Sequence, residues 1–93
     1  MSVHVSPDDR ASILGHASHL LSRDDRADPV RVAAAAIPLL EWAEAAADED
    51  DLRYRMRAMA RQHINSADAP RDPARFVDDA GTLYAFLCAG RKD

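Results

Sequence analysis

His16 and His19 are the residues whose types and spacing most directly suggest chemistry. They lie three positions apart in a segment with helical periodicity, so both imidazoles can face one metal ion. Zinc needs three or four ligands, and this segment supplies two. His63 or Asp25 would have to complete the site, but no spacing places either of them there. We therefore expect a surface pair of histidines and no bound metal.

Two serines lie near these histidines and raise the question of nucleophilic catalysis. Ser18 is adjacent to His19, but neighbouring helical positions point in different directions. Ser22 has no evident oriented base or oxyanion site. The sequence contains no glycine-rich nucleotide motif, and its single cysteine, Cys88, excludes an intramolecular disulfide and a CxxC zinc site. We expect no enzyme activity, no cofactor and no small-molecule substrate.

Arginines recur every four residues at Arg53, Arg57 and Arg61, which makes them candidates for contact with nucleic acid or an acidic partner. Arginines along one helix face can contact phosphates or guanine edges. The same segment begins with the acidic run 48–51, which would repel phosphate, and the following loop is too long for a helix-turn-helix. A small DNA-binding regulator is therefore the alternative hypothesis.

The composition predicts one small domain over residues 1–93 with little material for a core. Hydrophobic residues make up 47% of the chain, but 19 of them are alanine. Acidic residues outnumber basic ones by 16 to 12, which argues against a free nucleic-acid binder. No apolar segment is long enough to span a membrane, and no secretory signal is evident. The expected location is the cytoplasm.

Helix signals are strong along the chain, whereas strand signals are weak. Three dipeptides pair a good N-cap with a proline at the first helical position: Ser6-Pro7, Asp28-Pro29 and Asp72-Pro73. Helical periodicity predicts four helices, over 7–22, 29–47, 49–65 and 73–89. Short connections favour antiparallel neighbours, so the expected fold is an all-α, single-domain bundle of four helices. Pro38 should kink the second helix, because proline clashes with the preceding turn.

The helical periodicity also makes predictions about individual residues. Leu14 lies in the apolar arc of the first helix and is expected to be buried. The acidic run 48–51 either separates the second helix from the third or is a charged segment within one longer helix. His63 lies within the apolar arc of the third helix, where a partly buried ring bonded to a carbonyl or an aspartate is expected. A pH-sensitive element is the sharper interpretation of His63.

Surplus apolar surface is the strongest functional signal. Val30, Ile37 and Phe86 point away from the arcs that would build a monomeric core, and a domain this small is marginal by itself. The expected function is a non-enzymatic interaction or regulatory module, acting as a homodimer or on another protein. The interface would centre on these three residues, with Glu41, Glu44 and the arginines at its rim. An accessory protein of a phage or mobile element is a further interpretation.

Overall fold

The computed structural model describes residues 3–66 and 70–90, and this part of the chain is helical with no strand. Its helices are α1 Pro7–His19, α2 Arg23–Arg26, α3 Pro29–Glu44, α4 Glu49–Asn65 and α5 Pro73–Ala89. The prediction of an all-α bundle is confirmed. The predicted count of four is approximate, because the connection after the first helix contains the single turn α2.

Side-chain caps determine where the helices begin. Ser6 Oγ accepts from the Asp9 N–H at 3.2 Å, and Asp48 Oδ1 accepts from the Asp51 N–H at 2.8 Å. The cap at Asp48 answers the question left open by the acidic run, since α3 ends at Glu44 and α4 begins as a separate helix at Glu49. Ser22 caps α2, so it does not extend the first helix as predicted.

Helix α3 lies at the centre of the bundle, where it contacts α1 on one side and α5 on the other. The remaining major contact joins α4 to α5. Several alanines at the contacts between helices have no exposed surface: Ala17, Ala43, Ala58 and Ala80. Small side chains let helix backbones approach closely, so the alanine-rich composition produces a thin but closely packed core.

The largest fully buried side chains come from every long helix and from the segment before α1. They are Phe76, Ile13, Leu20, Leu39, Leu52, Met59 and Val5. Leu14 does not join them and is 43% exposed, so the sequence-based prediction for this residue was wrong. Helix α3 continues through Pro38. Across 3–66 and 70–90, no helix has the length and apolar character needed to cross a lipid bilayer.

The two phenylalanines of α5 provide a test of this packing. Phe76 is fully buried, so Phe76→Ala should lower the free energy of unfolding by about 3–5 kcal/mol. Phe86 is exposed, so Phe86→Ala should change it by less than about 0.5 kcal/mol in a dilute sample. Urea denaturation followed by circular dichroism measures both. Equal losses for the two variants would contradict the assigned burial.

Candidate functional site

The first candidate surface is the α3 stripe, which we define as Val30, Ile37, Glu41 and Glu44. These residues recur at spacings that place them on one face of the helix. Val30 is 74% exposed and Ile37 is 48% exposed, and the side chain of Glu41 is also exposed. The stripe therefore presents apolar side chains to solvent with acidic residues at one end.

Ile37 also lines a shallow apolar groove between α1 and α3, together with Leu14 and Leu40. The exposure of Leu14 follows from its position on this groove. Glu44 is engaged within the chain, since its carboxylate lies 3.9 Å from the Arg10 guanidinium. Glu41 is therefore the acidic group of the stripe that is most available to a partner.

Phe86 lies on a different surface, a groove of about 420 Å³ between α4 and α5. We call it the arginine groove, and its lining residues are Arg57, Arg61, Asn65, Leu83, Phe86 and Leu87. Phe86 is 81% exposed. The sequence-based prediction grouped Phe86 with Val30 and Ile37, whereas Phe86 and Ile37 line two separate grooves.

The three predicted arginines have different environments. Arg53 donates through both terminal nitrogens to the two carboxylate oxygens of Asp9, with Nη1–Oδ1 at 3.1 Å. This hydrogen bond lowers the pKa of Asp9 against the opposing effect of burial. Arg57 and Arg61 are exposed, and within the described residues neither forms an ion pair. The guanidinium of Arg57 lies 5.5 Å from the Tyr54 ring centre.

A buried ion pair lies at the contact between α4 and α5. Arg55 Nε donates to Asp51 Oδ2 at 3.2 Å, one turn earlier on α4, and both side chains are largely buried. The Arg55 guanidinium lies over two rings that also contact each other, 5.0 Å from the centre of Trp42 and 4.9 Å from that of Tyr84. Arg55 Nη1 also donates to the Trp42 carbonyl at 2.8 Å. The pair therefore links α3, α4 and α5.

The carboxylate of Asp51 is satisfied by donors from several segments. It accepts from the Tyr84 hydroxyl, from the Ala47 N–H at 2.8 Å and from Arg55. Burial opposes its ionisation, but these donors outweigh that effect and lower the pKa of Asp51. The hydrogen bond that the Tyr84 hydroxyl donates to Asp51, together with the burial of this hydroxyl, raises the pKa of Tyr84 to about 12. Asp51 therefore stays ionised and holds α5 in position beside α4.

The structure brings together His16, His19 and His63, which the sequence could not place. His16 Nδ1 lies 2.7 Å from His63 Nδ1, and the His19 ring stacks on that of His63 with centres 4.2 Å apart. His19 Nε2 is directed at the Ser66 carbonyl, 2.7 Å away. In the described part of the chain, no group of three or more His, Cys, Asp or Glu side chains is arranged to hold a metal ion. The ring nitrogens of His16 and His63 are instead directed at each other, and that of His19 is directed at the backbone.

Ile64 is an exposed apolar residue that the sequence-based prediction did not include, although the helical periodicity indicates its exposure. Ile64 is 72% exposed and follows Arg61 by three residues, which places both on the same face of α4. Its position outside the apolar arc of α4 was readable from the periodicity. The pairing of Arg55 with Tyr84 had no such signal, because the two residues are far apart in sequence.

The comparisons with known proteins do not assign the chain to a family. It matches no protein-family model, and no curated protein or solved structure shows significant similarity to it. The functional interpretation therefore depends on the surfaces described above.

Tyr84→Phe tests the polar contact that holds α5 beside α4. Removing the hydroxyl leaves buried Asp51 without one donor, so the free energy of unfolding should fall by about 1–3 kcal/mol. Because that hydroxyl lowers the pKa of Asp51, the variant should also raise it. Carboxyl-carbon NMR titration measures the pKa, and urea denaturation measures the stability. An unchanged Asp51 titration would contradict a hydrogen bond to the ionised carboxylate.

Proposed function

We propose that the chain is a small, non-enzymatic interaction module that pairs with a second copy of itself by helix-face packing. One observation carries the proposal: two exposed apolar surfaces of the described residues, the α3 stripe and the arginine groove, have side chains of opposite charge at their edges. The α3 stripe has Glu41 at its edge, and the arginine groove has Arg57 and Arg61. An apolar centre with a polar rim is the usual anatomy of a protein interface. A second copy therefore offers each surface a partner of matching chemistry.

The apolar residues would supply most of the affinity. Burying an exposed valine, isoleucine or phenylalanine side chain contributes about 1.5–3 kcal/mol. In a two-fold dimer each contact forms twice, so Val30, Ile37 and Phe86 would each contribute from both copies. Exposed charge pairs contribute less than about 1 kcal/mol each, but they select orientation and partner. The glutamate and arginine rims would therefore direct the pairing.

The DNA-binding alternative has less support from the geometry. Arg53 is engaged by Asp9, which adds a carboxylate close to the arginines. Arg57 and Arg61 border Leu83 and Phe86, and apolar neighbours suit a protein partner better than a phosphate backbone. No feature of the described residues bears on a role in a phage or mobile element. The cytoplasmic location stays a prediction.

Ile37→Asp and Phe86→Asp should each weaken self-association about tenfold or more, because each buries a charge at the centre of one surface. Helical content should stay unchanged, since both side chains are exposed in the single chain. Ala85→Asp is the matched control, because Ala85 is exposed on α5 but does not line the groove. Light scattering across a dilution series measures the molar mass. A wild-type monomer at every concentration would rule out the proposal.

Charge reversal tests whether the two surfaces meet each other. Glu41→Arg and Arg61→Glu should each weaken the dimer, because each places like charges across the interface. The double variant should recover most of the lost affinity, since the pair is restored with reversed signs. Arg23→Glu, an exposed position on α2, controls for the change in net charge. Additive losses in the double variant would show that these two surfaces do not face each other.

A further inference from the structure

The histidine cluster joins the end of α1 to the end of α4. His16 and His19 come from α1, and His63 comes from the last turn of α4. The Asp9–Arg53 ion pair joins the same two helices near the start of α1. We call this polar contact, formed by the histidine cluster and the ion pair, the α1–α4 seam. On its other side, α1 packs on α3 through apolar residues such as Ile13 and Ala36.

The distance between His16 and His63 limits the number of protons in the cluster. Two Nδ1 atoms 2.7 Å apart share a single proton, since one nitrogen must donate and the other accept. His19 Nε2 must carry its proton, because it faces the Ser66 carbonyl oxygen. An additional proton on His19 would place a positive charge against the stacked His63 ring. Protons on both Nδ1 atoms of His16 and His63 would break their hydrogen bond.

Among the described residues, the surroundings of the cluster supply no free negative charge. The charged side chains lining the adjacent groove are Asp9, Arg53 and Arg57, and both carboxylate oxygens of Asp9 are engaged by Arg53. From α5, the ring that meets His16 is the apolar Phe76, with ring centres 6.3 Å apart.

Residues 70–72, the described part of the segment before α5, are a further neighbour of the cluster. The Arg71 N–H donates to the Leu20 carbonyl next to His19, and its guanidinium lies 3.4 Å from Asp79. No side chain of the described residues therefore compensates the charge of a protonated cluster. Consistent with this, burial and the nearby His63 and His19 lower the pKa of His16 to about 4. Burial and His19 also lower the pKa of His63.

We propose that the histidine cluster is an acid-sensitive latch that holds the α1–α4 seam closed when its imidazoles are neutral and opens it when they are protonated. Opening would begin at the C-terminal end of α1, where the histidines are, and expose Met56, which lines the adjacent groove. The apolar contact of α1 with α3 would remain. The proposal does not depend on self-association.

The direction of the pH dependence follows from the lowered pKa. The closed seam favours neutral His16, whereas an opened seam lets it bind a proton near its ordinary pKa of 6.5. Opening is therefore promoted as the pH falls below about 6.5, and the effect of His16 levels off near pH 4. From these two values, His16 alone should increase the opening constant about 30-fold between pH 8 and pH 5.

Amide hydrogen exchange of the dilute wild-type protein at pH 8 and pH 5, expressed as protection factors, tests the latch. Amides at the C-terminal end of α1 should lose about 30-fold in protection, while those of α5 should change little. His16→Gln should remove most of this loss. His4→Gln should retain it, because His4 is exposed and outside the cluster. Equal loss in α1 and α5 would indicate global unfolding and overturn the proposal.

A second measurement keeps the proposal testable if His16→Gln fails to fold. Imidazole NMR titration of the wild-type protein should show His16 titrating well below its ordinary pKa of 6.5 and in step with the loss of α1 protection. If His16 titrates at its ordinary pKa of 6.5, or if α1 protection is independent of pH, the latch is wrong.

Discussion

A carboxylate remains ionised inside a protein only when hydrogen-bond donors or a cation offset its lost hydration, and Asp51 has both, supplied by several segments. Ala47, Arg55 and Tyr84 contact its two oxygens, and Arg55 in turn binds the Trp42 carbonyl on α3. These contacts form together only when α4 and α5 lie in one relative position. The ion pair therefore helps to set the shape of the arginine groove that the two helices enclose.

The thin core explains why so much apolar surface is exposed. Alanines such as Ala17, Ala43 and Ala80 fill the contacts between helices, so the backbones lie close together and leave little room for larger side chains. Val30, Ile37 and Phe86 remain outside. Small domains are marginal by themselves, and pairing between copies would bury this surface. The proposed self-association would therefore use surface that the alanine-rich core leaves exposed.

The sequence predicted the helices well because their signals are local. The caps at Ser6 and Asp48 and the prolines after the caps involve neighbouring residues. Contacts between distant residues had no comparable signal. His16 and His63 are 47 residues apart, and Tyr84 lies 33 residues beyond Asp51. Periodicity placed Phe86 and Ile37 on the exposed faces of their helices but did not show which helix lies beside each face, which is why the two residues were assigned to one patch.

The proposed pairing is tested most directly by an isotope-filtered NOE measurement on an equal mixture of labelled and unlabelled chains. Only contacts between copies give cross-peaks in such a sample. We expect cross-peaks between the Phe86 ring protons and the methyl groups of Val30 and Ile37, because the arginine groove of one copy would receive the α3 stripe of the other. A dimeric sample without these cross-peaks would show that the chain associates through a different surface and would contradict the proposed pairing.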